Sequence, residues 1–360
     1  MTSVAVVGGG VIGLACAWRA AQDGAAVTVI DPTPGASASH AAAGMLCPVT
    51  EVHYGEDSLL ALALDSAQRW PAFAAELRDA SGIDVGHRVE GTLAVAFDDD
   101  DLRGLEELLR FQQSLGLDVE RLRSSECRGL EPQLSPRVRG GVFVAGDHQV
   151  DNRRVVAALL EAGRRCGVGF ERRSVSSLHD DDTVARADRV VLAAGCWSAS
   201  LDDVPVRPVK GQILRLRFDP AHPPLTRNVR GVAEGRSVYL VPRADGELVV
   251  GATVEELGFD TTVTAGAVTE LLRAATDLVP GVSELELAET MAGLRPGTPD
   301  NAPIIGVSPH DERVVYATGH YRNGILLTPV TAHAVAALLR GDALPAVAAP
   351  FAIERFARCS

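Results

Sequence analysis

The 360-residue sequence predicts an α/β protein, α+β overall, with a Rossmann-like βαβ dinucleotide-binding domain interleaved with an antiparallel-sheet domain. Three observations carry that expectation. Gly8-x-Gly10-x-x-Gly13 stands between a β-branched run at 4–7 and a helical pattern over 14–22. RVVLAAG, at 189–195, is a continuous apolar run of the kind found in buried parallel strands. Between 206 and 254, VRPVKGQILRLRF, SVYLVPR and ELVVGATV alternate along their length with turn residues between them, which reads as antiparallel sheet.

The remaining elements follow in order. After Gly24 a second strand at 27–30 ends in Asp31. Residues 37–48 form a small-residue loop, and 58–79 reads as a helix broken or restarted at Trp70-Pro71, where proline removes a hydrogen bond. A strand at 92–97 precedes an amphipathic helix at 98–115. A strand at 142–145 precedes a helix at 152–166 capped by Asp151. Residues 266–278 are helical and 314–317 form a strand. Thr328 caps a last helix that opens on Pro329 and runs to about Leu339. Parallel-sheet material thus falls in three blocks, giving a cofactor domain of 1–85, 141–205 and 291–360 and a substrate domain of 86–140 and 206–290.

Composition narrows the function. Apolar residues make up 46%, enough for a sizeable core, but only 4% are aromatic, so Ala, Val and Leu must fill it. A net charge of −13 argues against nucleic acid or an anionic membrane as the main partner. Cysteines 16, 47, 127, 166, 196 and 359 are scattered without a CxxC, which fits a reduced cytoplasm. The nine histidines form no metal-binding spacing, so no metal is expected. The apolar run at 4–18 is not read as a signal peptide, because no Lys or Arg precedes it and its glycines sit at motif positions. No stretch reaches the ~20 apolar residues of a membrane span. Lys210 is the single lysine beside 33 arginines.

In the glycine motif, Gly8 allows the tight turn, Gly10 admits a pyrophosphate, and Gly13 lets the helix pack on the strand. Asp31 stands eighteen residues after Gly13, where a carboxylate accepts from ribose hydroxyls and repels a 2′-phosphate. An NAD domain would continue directly into a second mononucleotide half. Here parallel sheet returns only near 189, which favours FAD. A separate stretch, AGLRPGTPDNAPIIG at 292–306, sets Arg295 among glycines and prolines, as a site for a planar anion would.

With Ser39–Leu46 (SHAAAGML), Tyr239–Arg243 (YLVPR), AGLRPGT and Gly319–Leu326 (GHYRNGIL), the chain resembles the D-amino-acid-oxidase family, most of all its glycine oxidase branch linked to thiamine biosynthesis. The match runs nearly end to end. It implies non-covalent FAD lined by Val11, Ile12, Asp31, Pro32, Ser39, Ala43, Gly44 and Met45, with Gly195 also in contact. Val175 would lie on the adenine side, and His320, Tyr321, Arg322, Asn323, Gly324, Ile325 and Leu326 would wrap the isoalloxazine. It also implies the reaction: glycine, sarcosine or a small D-amino acid, O2 and water give a 2-oxo acid, ammonia or a primary amine, and peroxide.

The residues themselves support these roles. Arg295 has the fork that pairs with a carboxylate, the alternative being a structural ion pair with an acid brought in by folding. Tyr239 donates to the same carboxylate or is a strand tyrosine satisfied within the protein. Arg322 and Met45 complete the expected substrate side, with Arg322 binding the carboxylate's far side, orienting the amine through a carbonyl network, or bracing the flavin. No general base is nominated, because hydride transfer from Cα to flavin N5 asks mainly for positioning. The amides after Gly324 and the helix beginning at Thr328 would stabilise negative charge on the reduced ring. Lys210 reads as a solvated surface lysine or a group near an anion. His40, Cys47 and Ser237 depart from the family pattern. A dehydrogenase with a non-oxygen acceptor, a non-catalytic flavin-binding protein and an NAD-linked enzyme stand as alternatives, and a homo-oligomer is expected.

Overall fold

The computed structural model describes residues 1–233 and 236–356, so Cys359 and the end of the 291–360 segment lie outside the described residues. Six strands form one sheet in the order Ile304–Val307, Val314–Thr318, Arg189–Leu192, Ser3–Val7, Ala26–Ile30, Gly169–Glu171. All neighbours run parallel except the first pair. Helices Val11–Gln22, Asp57–Ser81, Asn152–Arg165 and Thr328–Leu339 cover one face with alanine, valine and leucine packed around Trp18 and Trp70.

The second sheet has eight strands: Glu286–Gly297, Arg207–Arg217, Glu247–Gly251, Arg236–Pro242, Asn228–Ala233, Thr92–Ala96, Gly140–Val144 and Glu120–Arg123. Leu214, Leu240 and Val250 point to one face and pack on helix Ala265–Leu278. Strand period two therefore sends Gly211, Ile213, Arg215, Tyr239, Arg243 and Gly251 to the opposite face, toward the first sheet. One rung of that face reads Met291, Ile213, Gly251, Tyr239, Arg230 across five strands.

Several elements depart from expectation. The helix over Asp57–Ser81 is continuous through Pro71, which lies on the exposed side, where water can satisfy the carbonyl left without a donor. The loop at 37–48 holds a short helix, Ala38–Ala41, and a strand, Met45–Leu46, paired with His148–Gln149. Thr328 is the first helical residue rather than the cap, and its hydroxyl donates to the Gly324 carbonyl (2.8 Å). The expected domain crossings at 141 and 291 fall inside strands Gly140–Val144 and Glu286–Gly297 of the eight-stranded sheet. Asp98, Asp151 and Thr264 do cap their helices, each accepting from first-turn amides.

Candidate active site

A cleft runs between the two sheets, from the glycine turn at 8–12 to Tyr239, Arg295 and Arg322. At its first end the glycines divide their work. Gly8 has φ 109°, and a Cβ there would lie 2.3 Å from the Ala193 carbonyl oxygen. A Cβ on Gly13 would lie 1.9 Å from the Gly8 oxygen, so this glycine lets helix and strand meet. A Cβ on Gly10 would meet only Ser39 Oγ, at 3.2 Å, so the space it leaves belongs to the cleft. Asp31 accepts from the Gly9 and Thr33 amides, both at 2.7 Å. Each carboxylate oxygen keeps a lone pair for a ribose hydroxyl. Ser39 Oγ accepts from the Val11 amide at 2.9 Å.

Further along, the amides of Gly324 and Ile325, both lining the cleft, make no hydrogen bond to another described residue, although Ile325 is buried. Buried amides seldom stay unpaired, so these fit an electron-rich ligand edge. Helix Asp57–Ser81 fixes the turn that presents them, since Ser66 Oγ (2.6 Å) and Trp70 Nε1 (2.9 Å) both donate to the Leu326 carbonyl. His320 Nε2 meets Thr331 Oγ1 at 2.9 Å, and burial pushes its pKa down to about 3, so the ring is neutral. Together these features suit a dinucleotide with a reducible ring: a glycine turn, an acid at the second strand's end, and unspent amides.

The wall between the two ends is held by cations. Arg243 is buried and donates to Gln149 Oε1 at 2.6 Å and to the Ala43 carbonyl. Burial lowers its pKa to about 10, which leaves it charged at neutral pH. Arg215 pairs with Glu247 and reaches the His40 and Ala42 carbonyls at 3.3 and 3.4 Å. Asn152 donates to the Ser39 and His40 carbonyls at 2.8 and 3.1 Å. The segment carrying Ala43, Gly44 and Met45 is thereby pinned to the second sheet.

At the far end Arg295 and Tyr239 stand together. Arg295 Nη1 donates to the carbonyls of Lys210 (3.2 Å) and Thr253 (3.1 Å), and no carboxylate pairs with it among the described residues. The space for its guanidinium exists because position 211 is glycine: a Cβ there would sit 2.3 Å from both terminal nitrogens. Gly251 does the same for Tyr239, whose hydroxyl would be 2.3 Å from a Cβ. That hydroxyl makes no hydrogen bond to a described residue, and burial raises its pKa despite the nearby Arg295 charge, keeping it a donor. Met45 packs beside Tyr239 and Ile213. Arg322 lines the cleft, pairs with Glu56 at 3.6 Å and reaches the Glu51 carbonyl at 3.5 Å.

The sequence reading missed three arginines. Arg230 lines the cleft and pairs with Glu51 at 2.6 Å; it lies directly across the ladder from Tyr239, so strand alternation and register were the available signal. Arg215 and Arg243 follow from the same alternation. Among expected cofactor residues, Gly195, Val11, Ile12, Ala43, Gly44, Tyr321 and Gly324 line the cleft, while Pro32, Val175, Asn323 and Leu326 do not. Val175 packs instead on the apolar cluster around Ile30, Leu178 and Leu192, and Pro32 is exposed. Lys210 is neither solvated nor at the cleft: it is fully buried against Asp260 (2.6 Å) and Glu255 (3.5 Å). Cys47 is buried against Thr92 Oγ1 at 3.3 Å, Ser237 lines the cleft, and His40 serves through its carbonyl. Among the described residues no His, Cys, Asp or Glu group is arranged to hold a metal ion, and no helix is long and apolar enough to cross a membrane.

Comparison with known proteins places this geometry. The family model for FAD dependent oxidoreductases matches residues 3–338. The chain is 36% identical to a glycine oxidase of Geobacillus kaustophilus over 369 residues, covering 98% of this chain and 96% of that one. A crystal structure of glycine oxidase from Geobacillus kaustophilus superposes with a TM-score of 0.91 at 34% identity, covering 99% of both chains. The bifunctional protein ThiO/ThiG of Nostoc sp. is 35% identical over 348 residues, and this chain, with 93% of its length matched, spans about half (52%) of that relative.

Proposed function

The chain belongs to the family of FAD dependent oxidoreductases, and from that premise we propose that it oxidises glycine and other small amino acids such as sarcosine and small D-amino acids. The products are the 2-oxo acid (glyoxylate from glycine), ammonia or a primary amine, and hydrogen peroxide. When bound, FAD supplies the two-electron acceptor for the hydride that leaves the substrate Cα.

The observation that carries this reading is the Arg295–Tyr239 pair. A guanidinium held from behind by two carbonyls, with no protein carboxylate on it, is an anion site awaiting its anion. Tyr239 offers a second donor from the adjoining strands. The substrate carboxylate is thus fixed by two side chains whose own positions are set by Gly211 and Gly251. Met45 and Ile213 present apolar surface beside Tyr239. No side chain is assigned as a base; orientation of Cα is what the protein contributes.

The proposal extends to the setting. An oxidase of this kind supplies the glycine-derived imine for the thiazole of thiamine, and we place it in the cytoplasm as a homo-oligomer. The experiment is direct. Purified protein carries FAD absorbance that bleaches with glycine under anaerobic conditions, and peroxide forms in air. Arg295→Ala abolishes the perturbation of the flavin spectrum by glycolate. Rapid dye reduction with no peroxide would replace the oxidase by a dehydrogenase, and unchanged glycolate binding in Arg295→Ala would refute the assigned anion site.

A further inference from the structure

A chain that uses 33 arginines and a single lysine keeps that lysine at a position with no solvent exposure. Lys210 sits in strand Arg207–Arg217, between the strand of Arg295 and the segment 252–264 that leads from Gly251 to helix Ala265–Leu278. Its backbone and that of Glu255 form an isolated bridge: each amide donates to the other's carbonyl, at 2.8 and 2.9 Å. Its ammonium crosses to Asp260 at 2.6 Å and Glu255 at 3.5 Å, and holds the Asp260 carboxyl down to about 2. Gln212 adds bonds to Glu255 and to the Thr264 amide, both 2.8 Å.

This strap reaches the site. The two carbonyls that hold Arg295 Nη1 belong to Lys210 itself and to Thr253, one on each side of the bridge. The strap also carries Val254 to the mouth of the cleft, beside Trp197, which meets Phe259 with ring centroids 5.8 Å apart. The direction of the guanidinium fork is therefore set by where the strap lies on the strand.

We propose that Lys210 is a positioning residue for carboxylate recognition: its compact ammonium, clamped between Asp260 and Glu255, locks the 252–264 strap so that the Thr253 and Lys210 carbonyls aim Arg295 into the cleft. This rests on the reading of Arg295 given above. A guanidinium is longer and planar, so in the same enclosed space it would meet the two carboxylates only with the strap displaced. That accounts for a lysine surviving here in a chain that otherwise uses arginine.

The test uses FAD-loaded protein and glycolate as the probe, followed through the flavin spectrum. Lys210→Met and Lys210→Arg are each expected to weaken glycolate at least tenfold and to raise KM for glycine in parallel. The kcat at saturating glycine stays within threefold and FAD affinity is unchanged. Glycolate binding within twofold of the parent in Lys210→Met, full rescue by Lys210→Arg, or FAD loss that accounts for the defect overturns the proposal. If the Lys210 variants do not fold, Asp260→Asn decides, because that carboxylate is 40% exposed. A threefold or greater weakening supports the clamp, and no change overturns it. A parent protein whose spectrum ignores glycolate would refute the anion site itself and the clamp with it, a result distinct from variants that match a responsive parent.

Discussion

Gly211→Ala isolates the placement of Arg295 from its chemistry. An alanine Cβ would sit 2.3 Å from both terminal nitrogens of the guanidinium and 2.5 Å from Cζ, so the fork must recede by about 1 Å to reach ordinary contact. The obstacle is the end of a flexible side chain rather than backbone, which keeps the stability cost small. What is lost is the geometry. The bonds from Nη1 to the Lys210 and Thr253 carbonyls, at 3.2 and 3.1 Å, lengthen together, and the fork leaves the plane of the bound carboxylate. Charge-assisted hydrogen bonds are worth about 1.5–3 kcal/mol each, and a tenfold change in affinity corresponds to about 1.4 kcal/mol. Losing the alignment of one of them weakens glycolate by roughly 10- to 100-fold. The assay is a glycolate titration of the flavin spectrum, with KM for glycine measured alongside. The control is Gly104→Ala, on an exposed helix where a Cβ meets nothing within 4 Å. Glycolate affinity equal to the control, at equal FAD content, would show that the guanidinium is not where the ligand binds.

Tyr239→Phe keeps the ring and removes a hydroxyl with no described protein partner, so thermal stability is unchanged and glycolate weakens by about 1 kcal/mol, near fivefold. Arg243→Met leaves the Ala43 carbonyl and Gln149 without their buried donor. FAD affinity, read by fluorescence titration, falls at least tenfold, while the Arg295 side is untouched once FAD is saturating. His320 is neutral in the fold because burial takes its pKa to about 3, whereas the unfolded chain titrates near its ordinary value of 6.5. The unfolded state therefore binds the extra proton between these values, so His320 lowers stability as pH falls from about 6.5 toward 3. His320→Gln flattens that part of the urea-derived stability curve, and an unchanged slope would count against a buried neutral ring.

Local signals gave much of this architecture and little of the wiring between its parts. The glycine turn, the acid at 31 and the parallel strand after 189 are short-range patterns, and they formed where spacing placed them. Arg295 was legible because its neighbours are unusual. Alternation puts Arg215 and Arg243 on the inner face but does not show what they hold there, since both reach carbonyls at 40–43, some 170 to 200 positions away. Lys210 was misread as surface for the same reason: its carboxylates follow a turn and lie 45 and 50 positions on. Val175 packs on the apolar core of the six-stranded sheet and lies outside the cleft lining.

The acidity of the chain sharpens the case for the site. At −13 overall, carboxylates are plentiful, and most arginines of the described structure find one. On the inner face of the eight-stranded sheet the pattern divides. Arg215 and Arg230 are matched by Glu247 and Glu51, while the hydrogen bonds of Arg243 and Arg295 go to amide and backbone oxygens alone. Carbonyl dipoles orient a buried guanidinium but do not neutralise it, so Arg243 and Arg295 keep their positive charge on this face. In the proposed reading an anionic substrate would be drawn to Arg295, and negative charge on a bound cofactor would be favoured by the charge of Arg243. On that reading one sheet face would meet both electrostatic requirements of amino-acid oxidation, a cation for the substrate carboxylate and a cation for the electron-rich cofactor.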